Sequence, residues 1–105
     1  VKTKHDLFSA LAPRVGAHNG VSVDALARQL GSTPRHVRTL VSDLRMEGIA
    51  VCGTPKSGYY IAATPEEMEE TCQFLRHRAM HSLQLESRLR NIPMPDLLGQ
   101  LHLNT

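Results

Sequence analysis

The sequence predicts a mainly helical fold that carries one small β-hairpin and ends in a long helix. Three observations predict it. Apolar residues recur at three- and four-residue spacings in separate stretches, the mark of helices with one buried face. Two short β-prone runs, 49–52 and 59–62, flank a segment rich in Gly, Pro and Ser at 53–58, the mark of a hairpin with a longer loop. Glycines, prolines and capping residues stand between these runs and punctuate the chain.

The first helix is expected over about 4–15, where Leu7, Leu11 and Val15 mark an apolar face that Phe8 widens. Pro13 is placed to kink or shorten its last turn. Gly16 and Asn19-Gly20 then turn the chain. Val21-Ser22-Val23 reads as a tiny strand, with Ser22 also a candidate cap for a helix over 23–30. Leu26, Ala27 and Leu30 face its core side, and Gly31 ends it. Thr33 caps a third helix over 34–46, and Pro34 fits its first position because a missing N–H costs nothing there. Val37, Leu40, Val41 and Leu44 form its buried face, and Gly48 closes it. After the hairpin, Thr64-Pro65-Glu66-Glu67 has the capping-box pattern and opens a helix reaching about residue 90. Met68, Cys72, Leu75, Ala79, Leu83 and Leu89 are its expected apolar stripe. Pro93 and Pro95 break it. A short final helix over 96–103 is expected to use Leu97, Leu98, Leu101 and Leu103.

At 105 residues the chain fits one compact domain. Only 4% of residues are aromatic and none is Trp, so the core must be built from Leu, Val, Ile, Ala and Met. No apolar run approaches the roughly 20 residues of a membrane span, and the first residues lack the apolar stretch of a signal peptide. A soluble cytoplasmic protein is the expectation. Cys52 and Cys72 fall in different elements, and two small buried hydrophobes are expected rather than a disulfide. The net charge of +2 hides a division. Residues 1–63 hold eight Lys/Arg against four Asp/Glu, a net of +4, and residues 64–105 hold four against six, a net of −2. The first part suits a polyanion and the second does not. A division into a DNA-binding part at 1–63 and a helical extension at 64–105 follows.

The informative stretch is 23–44. A helix-turn-helix needs a small residue inside its first helix, where the second crosses close above, and Ala27 supplies it. Four residues later the turn needs a left-handed backbone, which Gly31 accepts without steric cost. Apolar anchors six and nine residues past that glycine hold the second helix, and these are Val37 and Leu40. Together with the hairpin at 48–61, where Gly48, Pro55, Lys56 and Gly58-Tyr59 stand in sequence, the stretch resembles the winged helix-turn-helix family. The resemblance is strongest to the N-terminal domain of biotin-operon-repressor-type bacterial regulators, and it extends to small phage and prophage DNA-binding proteins. It covers roughly 5–63 and implies a winged-helix fold that binds double-stranded DNA. It carries no biotin-ligase chemistry, for which the chain has no room.

With Val37, Leu40, Val41 and Leu44 inward, the third helix shows Arg35, Arg38, Thr39 and Ser42 outward, His36 at the edge, and Thr33 and Pro34 at its start. That surface is the one a helix-turn-helix sets into the major groove. Arginine donates twice to guanine O6 and N7, and Thr bonds a base or touches a thymine methyl. Arg28, Ser32 and Arg45 are candidates for phosphate contacts, and Lys56 and Ser57 at the wing tip are candidates for an adjacent groove or the backbone. Tyr59 and Tyr60 point to opposite faces of their strand, so one is expected in the core.

Other chemistry is discounted. His77 and His81 share a helix face at a zinc-compatible spacing, but a third ligand with a matching motif is missing. The segment 53–58 has Tyr59 where a phosphate loop needs Lys. There is no nucleophile elbow, catalytic carboxylate pair or Cys/His dyad in the sequence, so neither an enzyme nor a cofactor or metal is expected. The expected function is sequence-specific DNA binding in transcription regulation, with a homodimer formed through the 64–90 helix. The alternatives are a winged-helix protein-interaction module, with an unknown protein partner, and an accessory DNA-binding factor in replication or recombination.

Overall fold

Helix α1 (Lys4–Leu11) opens the fold in a computed structural model that describes residues 2–103. There follow a 3-10 turn at Ala17–Asn19, α2 (Val23–Leu30), α3 (Pro34–Met46), β1 (Val51–Thr54), β2 (Gly58–Ile61), α4 (Pro65–Arg90) and α5 (Met94–Gln100). The protein is therefore mainly helical with one small two-stranded antiparallel sheet. Contacts divide it into two compact units, 1–71 and 72–105, and the division falls inside α4 rather than at the change of composition after residue 63. Among the described residues no helix is long and apolar enough to cross a membrane.

The first unit closes a core. Leu7 and Leu11 of α1, Leu26, Ala27 and Leu30 of α2, and Val37, Leu40, Val41 and Leu44 of α3 meet Val21 and Val51 in one buried cluster. Burying side chains of this size contributes about 1.5–3 kcal/mol each. Helix α1 is shorter than the 4–15 expected. Ala12 N–H still donates to the Phe8 carbonyl at 2.8 Å, but Pro13 has no N–H to continue the ladder, and Arg14 N–H reaches only the Leu11 carbonyl at 2.7 Å. Val15 consequently leaves the helical face and forms an isolated parallel bridge with Ile61. The tiny strand expected at 21–23 reduces to one antiparallel bridge, Val21 with Tyr59, because Val23 already begins α2.

Both strands shift from their expected places. Ile49 cannot join β1, since its N–H is held by the Leu44 carbonyl at 3.1 Å at the end of α3. Pairing runs from Val51 with Ile61 to Thr54 with Gly58, which leaves a loop of Pro55, Lys56 and Ser57 in place of the longer 53–58. Tyr60 is the core-facing tyrosine, and its burial pushes the phenol's pKa upward.

Four helices end in one way. The residue after the last helical turn is left-handed, and its N–H and that of its successor reach back into the helix, the Schellman arrangement. In α2, Gly31 (φ 62°) donates to the Arg28 carbonyl and Ser32 to the Ala27 carbonyl at 2.8 Å. Gly48 and Ile49 do the same for α3, Asn91 and Ile92 for α4, and His102 and Leu103 for α5.

In the first turns of α4, Thr64 and Glu67 form the expected reciprocal cap, with Glu67 N–H donating to Thr64 Oγ1 at 3.2 Å. The Glu67 carboxylate also accepts from Ala17 N–H at 2.8 Å and Ala63 N–H at 2.7 Å. These backbone donors hold its pKa below the usual 4.5. Thr71 is buried and accepts from Gly53 N–H at 3.1 Å. The expected apolar stripe of α4 is mostly exposed. Met68 and Leu75 are 45% and 40% exposed, Cys72 lies at the surface rather than buried, and Leu89 is 87% exposed. Only Leu83 of the stripe is half-buried. Cys52 is buried as expected, and among the described residues the two cysteines form no disulfide.

In the second unit, Ser87 is buried and donates to the Ile92 carbonyl at 2.5 Å, which ties the α4–α5 turn to the helix. Helix α5 begins at Met94, earlier than expected, because Pro95 stands in its first turn where a missing N–H is harmless. Leu97 is buried, while Leu101 and Leu103 stay exposed.

Candidate nucleic-acid interface

The surface of interest is built by the junction of α2 and α3. Ser22 caps α2 by accepting from Ala25 N–H at 3.1 Å, and Thr33 caps α3 by accepting from His36 N–H at 3.1 Å. Each such cap is worth about 1 kcal/mol. Between them, Gly31, Ser32 and Thr33 form a three-residue turn whose direction is set by the left-handed Gly31. The four apolar residues of α3 are then locked into the core, Val37 at 0% exposure and Leu44 at 1%. Helix geometry leaves no freedom for the other side. Arg35, Arg38, Thr39 and Ser42 lie on its solvent face and all four are exposed.

The guanidinium groups of Arg35 and Arg38 have no ion pair or hydrogen bond among the described residues, nor does that of Arg28, exposed in the last turn of α2. Thr39 Oγ1 donates back to the Arg35 carbonyl at 3.2 Å and so keeps its lone pairs outward. Ser32 is half-buried, with its N–H used in the α2 end, and Pro34 is half-buried at the start of α3. Asp43 is the acid of this helix and is also exposed.

Three residues expected at this surface have other engagements. Arg45 turns toward the hairpin: Nε donates to the Val51 carbonyl at 2.7 Å, and the guanidinium carbon lies 5.9 Å from the Tyr59 ring centre, a cation–π contact. Its Nη2 is buried. Ser57 is a component of the hairpin turn, where its hydroxyl accepts from Thr54 N–H and donates to the Gly58 carbonyl, both at 3.0 Å. The His36 ring lies with Nε2 3.0 Å from the Lys2 carbonyl, so it anchors the chain ahead of α1. Lys56 is exposed at the tip of the hairpin.

No protein-family model, curated protein or solved structure matches this chain.

Two residues belong beside this surface that the sequence did not single out. Met46, 88% exposed, extends the outward line of Arg35, Thr39 and Ser42 by one more turn. Its four-residue spacing from Ser42 was the available signal. Lys2 is brought to the first turn of α3 by the His36 contact. That contact links residues far apart in the chain, and no local pattern signals it.

Proposed function

We propose that this protein is a winged helix-turn-helix protein that binds double-stranded DNA through α3, and that it acts by binding rather than by catalysis. The observation that carries the reading is the pair of exposed, unengaged arginines, Arg35 and Arg38, on the solvent face of a helix whose opposite face is locked in the core. An α-helix is about 10–12 Å across and fits a major groove about 12 Å wide. In that groove Arg35 and Arg38 read guanine edges, and Thr39 and Ser42 contact neighbouring bases. The first turn of α3, with Ser32, Thr33 and Pro34, lies toward a phosphate. Arg28 supplies a second phosphate contact, and Lys56 in the hairpin loop reaches the backbone or an adjacent groove. Regulation of transcription from a specific site is the role this arrangement suits best.

The test is fluorescence anisotropy of a labelled random-sequence duplex over a series of salt concentrations. Binding whose logarithm falls linearly with the logarithm of salt supports phosphate-driven docking. Selection from a random pool should then return a preferred sequence. Absence of binding at low salt would overturn the reading.

A further inference from the structure

Helix α4 carries a seam that is exposed over its first five positions. Met68, Cys72, Leu75, Ala79 and Ser82 alternate by four and three residues, and Glu86 and Leu89 continue the spacing to the helix end. This is the a/d repeat of a helix that packs lengthwise on another helix. Every one of the first five is exposed. The burial that α4 does achieve lies on other sides: Glu67, Thr71 and Phe74 on one, Met80, Leu83 and Ser87 on another. The seam between them has large apolar groups at Met68 and Leu75 and small groups at Cys72, Ala79 and Ser82, which permit close approach.

The charge along the same helix is strongly polarised. Glu66, Glu67, Glu69 and Glu70 stand in its first turns, and Arg88 and Arg90 stand in its last, where Arg90 also pairs with Glu86 at 2.7 Å and the end keeps a net positive charge. Two copies side by side in parallel would set acid against acid and base against base. Two copies antiparallel set the acidic turns of each beside the basic turns of the other, at both ends. They also oppose the helix dipoles favourably.

We propose that a second copy of this chain covers the α4 seam, with the two helices antiparallel. At 1.5 Å per residue the helix is roughly 39 Å long. Seam on seam, an overlap within one residue of full length sets Leu75 of each copy against Ala79 of the other, Cys72 against Ser82, and Met68 against Glu86. Leu75 then meets a small side chain, and the Cys72–Ser82 layer, small on both sides, permits close approach. This inference stands apart from the DNA reading, since it uses neither α3 nor its arginines.

Sedimentation equilibrium on the full chain without DNA tests it. A concentration-dependent dimer is expected. Leu75→Glu, at an exposed position, should weaken it by on the order of tenfold or more while the helical circular dichroism is unchanged. Ala79→Glu is a second variant with the same expectation, should the first disturb folding. Orientation is read by oxidising Ser82→Cys and mapping disulfides by mass spectrometry. A link between Cys72 and the introduced thiol is expected, and no Cys72–Cys72 link in the unsubstituted chain. A monomer at every concentration, a dimer indifferent to both glutamate variants, or a Cys72–Cys72 link would each overturn the proposal.

Discussion

Helices α3 and α4 carry the same kind of apolar spacing and meet opposite fates. In α3 the stripe Val37, Leu40, Val41 and Leu44 is buried, because α1, α2 and the hairpin close over it. In α4 the stripe Met68, Cys72, Leu75 and Ala79 lies exposed. The difference teaches that periodicity determines which residues share a face, while the presence of a covering partner determines whether that face becomes core. The same comparison separates the two units. The first holds a continuous cluster of buried aliphatics, whereas among the described residues of the second Leu97 is the buried apolar one.

The comparison predicts unequal costs for equal truncations. Leu26→Ala, at 0% exposure, should destabilise the first unit by about 2–5 kcal/mol in urea unfolding. Leu85→Ala, at an exposed position of α4 off the seam, should change stability by less than about 0.5 kcal/mol. Similar losses at the two sites would break the contrast. A smaller effect is expected at Gly58 (φ 75°), where an added Cβ would lie 2.7 Å from the Val21 backbone carbonyl. Neither the backbone sign nor the neighbour can yield cheaply, so Gly58→Ala should cost about 1–3 kcal/mol and loosen the Val21–Tyr59 bridge, visible in amide exchange of Tyr59. Thr33→Ala removes the α3 cap and should cost about 1 kcal/mol in the same unfolding assay.

The smallest effect concerns pH. Glu67 has its pKa lowered by the Ala17 and Ala63 backbone donors. A depressed folded-state pKa stabilises the fold above the unfolded value, and that contribution is lost as pH falls through the folded value. Glu67→Gln should therefore lower the urea midpoint at about pH 7 and lower it by less at about pH 3. A constant difference at both pH values would contradict the carboxylate's role.

Much of the first unit was legible because its signals are local. Ser22, Gly31, Thr33, Pro34 and Gly48 fix the bounds of α2 and α3 through caps and left-handed ends that depend only on neighbouring residues. The outward face of α3 followed from its inward one. The rest depended on how each segment meets its neighbours in the folded chain. The shift of β1 arises because the end of α3 takes the Ile49 N–H. Arg45, His36 and Ser57 resemble free surface residues in sequence. Val51, Lys2 and the hairpin turn that engage them are visible only once the chain is folded. The exposure of the α4 stripe was illegible for the reason already given: a stripe does not name its partner.

The most direct test of the account is to move the loss of charge. The double variant Arg35→Ala/Arg38→Ala and the control Arg14→Ala/Arg76→Ala each remove two exposed arginines, and neither of the second pair belongs to α3. Duplex affinity would be measured for both across the same salt series. The account predicts that the α3 variant loses most of its affinity for the selected sequence, by about 1–3 kcal/mol for each arginine, while the control stays close to the unsubstituted protein. Equal losses in the two variants would contradict it, because binding would then follow net charge rather than the face of α3.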